Sequence, residues 1–165
     1  MDEVAAVNAM PAERLEADLL ACCAAPAWAA AIVAGRPYPD RSAILAAADA
    51  AAHKLSWPDV LEGLAAHPRI GERAAGQSRE AAWSRQEQAA AAGPDDAALA
   101  EANRAYEERF GHVFLIFASG RSQAEILAAA RQRLANDDET ERTVVADQLR
   151  RIALLRLERW LDAHR

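Results

Sequence analysis

Three sets of polar side chains in this sequence have the type and spacing to move a proton or hold an anion. The first is His67-Pro68-Arg69-Ile70-Gly71-Glu72. An imidazole titrates near neutral pH and serves as a general acid or base. The following proline disfavours helix at His67, so the ring leaves the chain at a defined corner. If a helix ends there, the negative end of its dipole favours imidazolium. A histidine that merely caps the last helical carbonyls fits the same position. The second set is Ser84-Arg85-Gln86-Glu87-Gln88. Ser84, Glu87 and Gln88 fall at i, i+3 and i+4 and share one helix face. A hydroxyl, a carboxylate and an amide together suit a ligand rich in carbonyl and N–H groups. An ordinary solvated face has the same pattern. The third is Arg156, on a stripe with Leu149, Ile152 and Trp160 that is otherwise apolar. A guanidinium facing a core needs a carboxylate partner or an anionic ligand, and the stripe alone fits both.

These residues must be placed by helices. The chain has 165 residues and is 52% hydrophobic by a count that alanine dominates, with aromatics at 5%. Alanine, Leu, Glu, Arg and Gln lose little rotamer freedom in a helix, and β-branched residues are few. The expectation is one all-α domain over residues 1–165, a bundle of about eight helices. The first starts after Asn8, with Pro11 near its first turn, and runs to about Cys23. A short one follows Pro26 to Gly35, and Arg36-Pro37-Tyr38-Pro39 forms an extended link. Another spans about Ser42 to Lys54. Ser56 and Asp59 make a capping-box start for a helix that turns Leu61 and Leu64 inward and ends at Pro68. Arg69 to Gln77 reads as loop. Ser78 opens a helix ending near Gly93, and the next runs from about Asp95 to Arg109, stopping at Gly111. Ser122 and Glu125 open a helix to about Leu134, and the last spans about Glu139 to Ala163.

Val113-Phe114-Leu115-Ile116-Phe117-Ala118 is the one strand-like run. A lone strand has no partner in a helical chain, so an extended buried segment or a helix start is expected. Its free N–H and C=O groups must then bond to protein, water or a ligand.

Net charge is -6 and the isoelectric point about 5.2, against a general nucleic-acid binder. Cys22 and Cys23 are adjacent on a helix, which opposes a disulfide between them, and read as core. The four histidines show no HxxH or HExxH spacing, so no metal is expected. No signal peptide and no apolar run of spanning length is visible, which fits a cytoplasmic, membrane-free protein.

The motifs together resemble the 2-oxo-4-hydroxy-4-carboxy-5-ureidoimidazoline (OHCU) decarboxylase family. The resemblance is carried by His67-Pro-Arg-Ile-Gly-Glu72, Ser84-x-x-Glu87-Gln88, and Phe110-Gly-x-x-Phe114 running into Phe117-Ala-x-Gly-Arg121. Glu125-Ile-Leu, Arg133-Leu-x-Asn136 and Ile152-x-x-x-Arg156-Leu157 follow in order. It implies an all-α fold and a cofactor-independent conversion of OHCU to (S)-allantoin and carbon dioxide in urate breakdown. It implies His67 as the catalytic acid, with Glu87 its partner across the substrate. Pro68, Ser84, Arg85, Gln86, Gln88 and Arg156 would line the pocket. Backbone groups of Phe114, Leu115, Ile116, Phe117, Ala118 and Ser119 would hold the ring. The resemblance also suggests a homodimer. Two other readings stand beside it. One is a non-catalytic helical interaction module; the other is a cofactor-free hydrolase of a related ureide, disfavoured by the lack of a nucleophile-elbow motif.

Overall fold

Local capping chemistry explains where most of the helices begin in the computed structural model, which describes residues 2–71 and 79–165. Nine helices are described: α1 (Glu3–Ala9), α2 (Ala12–Cys22), α3 (Pro26–Ala34), α4 (Arg41–His53), α5 (Trp57–Leu64), α6 (Arg79–Glu87), α7 (Asp96–Phe110), α8 (Gln123–Arg133) and α9 (Asp138–Ala163). Among the described residues there is no strand. Ser56 and Asp59 exchange side-chain and backbone bonds at the start of α5, and Ser122 and Glu125 do the same for α8, so both expected capping boxes form. Glu72, Ser78 and most of the expected loop from Arg69 to Gln77 lie outside the described residues.

The chain divides into two units, residues 1–66 with 149–165, and residues 67–148. The first holds α1 to α5 and the later part of α9. Its core contains Leu15, Leu19, Trp28, Ile32, Ile44, Leu157 and Trp160, all essentially inaccessible. The indole of Trp28 donates to the Ala48 carbonyl at 3.0 Å, so burial leaves its one polar atom satisfied. Cys22 and Cys23 form no disulfide among the described residues and are buried, as core residues. Burial pushes the Cys23 thiol up to about 11, although the Ala25 backbone and the Arg156 charge oppose it.

Three expectations needed correction here. An additional helix, α1, precedes the expected first one, capped by Asp2, whose carboxylate accepts from the Ala5 N–H at 2.8 Å. Helix α5 ends at Leu64 rather than at Pro68, whereas Pro11, expected near the first turn of its helix, stands at the N-cap of α2. Leu61 is exposed at 36%, while Val60, Gly63 and Leu64 are buried. The face is set by Gly63, where an added Cβ would come within 2.9 Å of the Leu149 side chain.

The second unit holds α6, α7, α8, the start of α9 and an irregular segment between α7 and α8. Leu99, Ala102 and Tyr106 on α7 meet Ile126, Leu127 and Ala130 on α8, and Ile70, Phe114 and Ile116 close the same core. Gly111 ends α7 in the left-handed region at φ 82°, which glycine adopts without a Cβ clash. Helix α6 ends at Glu87, well before Gly93. No local stop signal exists among Ala89 to Ala92; the stop is tertiary. The buried amide of Gln123 donates to the Ala91 carbonyl at 2.9 Å, and its oxygen accepts from the Asp95 N–H at 3.0 Å. Among the described residues no helix is long and apolar enough to cross a membrane.

Candidate active site

Most of the residues singled out by chemistry fall in the second unit. His67 and Pro68, both half-buried, begin it. The turn after them is fastened at consecutive residues. Arg69 donates from Nε and Nη2 to the two carboxylate oxygens of Glu107, at 2.5 and 3.1 Å. The Ile70 carbonyl accepts from Asn103 Nδ2 at 2.7 Å. The Gly71 N–H donates to Gln88 Oε1 at 2.9 Å. That last bond joins the histidine turn to the end of α6. Gln88 lies just past the helix, with its own N–H still bonded to the Ser84 carbonyl at 3.0 Å.

On α6, Ser84 is 6% exposed and Glu87 7%, so the shared face is turned inward rather than solvated. Arg85 is half-buried and Gln86 exposed, on other faces of the helix. A carboxylate so withdrawn from water needs donors around it, and that suits it to a ligand with N–H or O–H groups.

Residues 113–118 are neither helix nor strand, as the lack of a strand partner suggested, and Ser119 begins a turn closed by the Arg121 N–H on the Ala118 carbonyl at 3.0 Å. Side chains take part of the segment's backbone. Arg133 Nη1 donates to the Leu115 carbonyl at 2.7 Å, Gln148 Oε1 accepts from the Phe117 N–H at 2.8 Å, and Arg121 Nε donates to the Phe117 carbonyl at 3.0 Å. The N–H and C=O of Ile116 and the N–H groups of Ala118 and Ser119 bond to no other described residue. Such groups are available to a small polar ring.

The arginine that holds Leu115 is itself held. Arg133 pairs with Glu141, whose side chain is about 1% exposed, through bonds of 2.9 and 2.5 Å to Oε2. Tyr106 donates its hydroxyl to the same carboxylate, and Asn136 Nδ2 donates at 3.1 Å. Arg133 also lies over the Phe114 ring at 4.6 Å. Burial, and then the Glu141 bond, raise the Tyr106 phenol far above its ordinary value, so it acts as a donor throughout.

Arg156 is in the first unit, 4% exposed on α9, with Nη1 3.4 Å from the Ala21 carbonyl. Its burial follows the stripe, since Leu149, Ile152 and Trp160 are buried too.

Sequence reasoning missed Asn103, Glu107, Glu141 and Gln148. Asn103 carried a readable signal. It lies on the stripe of Leu99, Ala102 and Tyr106, all buried, as Arg156 lies on its own apolar stripe. Gln148 had none, because Phe117 comes from a distant segment, and Glu141 had none, because Arg133 and Asn136, though close in sequence, reach it only across the turn from α8 to α9. Among the described residues no His, Cys, Asp and Glu side chains gather as a metal site. The second unit also contains a cavity of about 420 Å³, bordered by Arg69, Ile70, Gly71, Asn103 and Glu107.

Comparison with known proteins agrees with the ordered motifs. The profile described as OHCU decarboxylase matches residues 8–158. The uric acid degradation bifunctional protein TTL of Arabidopsis thaliana is 33% identical over 142 residues, 82% of this chain and 44% of that protein. This chain therefore spans less than half of that relative's length. The 2-oxo-4-hydroxy-4-carboxy-5-ureidoimidazoline decarboxylase of Amia calva is 30% identical over 138 residues, 81% of this chain and 79% of that protein. An OHCU decarboxylase crystallised in the presence of (S)-allantoin aligns with a TM-score of 0.72 at 29% identity, over 87% of this chain and 96% of that one. An (S)-allantoin synthase shares the fold, with a TM-score of 0.66 at 23% identity over 93% of this chain and 52% of that one. A profile match over nearly the whole chain, with a similar fold in a solved OHCU decarboxylase, settles the family: the chain belongs to the OHCU decarboxylases.

Proposed function

We propose that this chain catalyses the cofactor-independent decarboxylation of OHCU to (S)-allantoin in urate breakdown. The observation that carries the reading is the placement of Glu87. It is a buried carboxylate whose neighbour Gln88 is bonded to the turn that follows His67. The family and the Amia calva relative support the substrate.

The chemistry asks little of the protein beyond orientation and one proton. The bond from ring carbon to carboxylate breaks, carbon dioxide leaves, and the electron pair enters the conjugated ring. His67 then delivers a proton to the ring carbon that becomes the (S) centre, and solvent restores its own. Glu87 accepts a hydrogen bond from the substrate hydroxyl or ring N–H. Ser84 and Gln88 add a hydroxyl and an amide, Pro68 fixes the exit of the histidine, and Arg85 and Gln86, on other faces of the helix, have no part in this step. Backbone groups between Phe114 and Ser119 hold the ring carbonyl and N–H. Arg156 is assigned to substrate binding on its charge and burial alone. The reading includes a homodimer, which light scattering would find at twice 17.8 kDa, and a small molecule rather than nucleic acid or membrane as the partner.

The test follows freshly made OHCU by circular dichroism. Enantiopure (S)-allantoin should form faster with the chain than without it. OHCU decay at the spontaneous rate would instead support a helical interaction module.

A further inference from the structure

The turn that carries His67 is secured by the buried Ile70 side chain and by polar bonds, one of them from an amide that keeps an unmatched acceptor. Asn103 is 6% exposed on α7, among Leu99, Ala102 and Tyr106. Its Oδ1 is buried without a hydrogen-bond partner among the described residues. A buried acceptor left unmatched destabilises a protein, and an apolar side chain of the same size removes that penalty. The bond from Nδ2 to the buried Ile70 carbonyl offsets that penalty, so the amide is close to neutral for the fold. What the amide provides is Nδ2, whose acceptor is the Ile70 carbonyl at 2.7 Å.

Ile70 is three residues beyond His67. Pro68 has a fixed φ, Arg69 is held by both oxygens of Glu107, and Gly71 is held by Gln88. Gly71 itself is in the left-handed region at φ 92°, with Leu99 3.4 Å from where a Cβ would stand. The Ile70 side chain packs in the core of this unit, and a cavity of about 420 Å³ borders the same turn. The backbone of the turn is set by the hydrogen bonds on either side of that one apolar anchor.

We infer that Asn103 is a positioning residue for His67, acting through the Ile70 carbonyl and assisted by Glu107 on Arg69. The inference rests on the decarboxylase reading above. An imidazole that must deliver a proton to one face of a ring tolerates little displacement; a shift of about 1 Å costs on the order of a hundredfold in rate. Substrate affinity comes from other groups and should be spared.

The experiment compares the wild-type chain with Asn103→Leu, Asn103→Ala and His67→Asn. For each, kcat and KM for OHCU and the thermal midpoint are measured. Asn103→Leu removes the donor and the unmatched acceptor together at similar volume. Its midpoint should stay near that of wild type, because the unmatched Oδ1 goes as the Ile70 carbonyl loses its donor, while kcat should fall at least tenfold and KM should stay within twofold. Asn103→Ala should show the same kcat loss with a lower midpoint. Unchanged kcat in folded Asn103→Leu, or a loss confined to KM, overturns the inference, as does failure of both Asn103 variants to fold. The decarboxylase reading fails separately, if wild type does not accelerate OHCU decay or if His67→Asn keeps full turnover.

Discussion

His67 stands two residues past the C-cap of α5, at the one point where the chain offers an imidazole next to a proline. General acid–base groups contribute about 10²- to 10⁴-fold, so folded His67→Asn should lose OHCU turnover by that range. Circular dichroism of allantoin formation, beside a thermal midpoint, measures it. At the same scale, the Cys23 thiol is pushed up to about 11 and is 2% exposed, so it should resist thiol reagents at pH 8 in the native protein. Titration with a disulfide reagent should count two thiols only after denaturation. Rapid native modification of Cys23 would contradict the burial described. Glu141 is the residue on which the extended segment depends indirectly, through Arg133 and the Leu115 carbonyl. Glu141→Leu leaves a buried guanidinium unpaired and should cost about 3–5 kcal/mol in a denaturant titration.

Among the elements, what was legible in the sequence was what local chemistry decides. Ser122 and Glu125 sit three apart, and the bonds at 3.2 and 3.1 Å follow from backbone geometry. Ser122→Ala should therefore destabilise by about 1 kcal/mol, read from denaturant midpoints, with OHCU turnover unchanged. The end of α6 was not legible, because Gln123, from another helix, binds the Ala91 carbonyl and the Asp95 N–H and so holds the segment after α6 in place. The shared face of Ser84, Glu87 and Gln88 was legible from spacing, but its burial was not. Neither was the use of Gln88 Oε1 by Gly71, because that bond needs tertiary placement of a turn 17 residues away. That residues 113–118 would not pair as a strand was legible from the sequence; that Arg133, Gln148 and Arg121 would take part of the segment's backbone was invisible. The extra helix α1 was missed although Asp2 stands three residues before Ala5, an ordinary N-cap spacing.

At the scale of the molecule, pH acts through carboxylates held ionised by the fold. Glu125 lies below its ordinary 4.5, first through the Ser122 backbone N–H and then its side chain. Asp137 lies below its ordinary 3.8, first through the Thr140 backbone N–H and then its side chain. Depressed folded values mean that this stability is fully present above the ordinary values and is lost as pH falls through the depressed ones. Thermal midpoints should accordingly decline on acidification below about pH 4.5, and Ser122→Ala should flatten part of that decline. A midpoint insensitive to acid would contradict it.

The first unit is assembled from both ends of the sequence, with residues 67–148 inserted between its parts. Leu149, Ile152, Leu157, Trp160 and Leu161 are all buried and all belong to the later part. During synthesis, α1 to α5 therefore emerge with an apolar surface that cannot be covered until α9 leaves the ribosome. A nascent chain halted before residue 149 should remain protease-sensitive in its first 66 residues, and release of the full chain should end that exposure. Order of manufacture, and not only final energy, is thus written into where the helices lie along the chain.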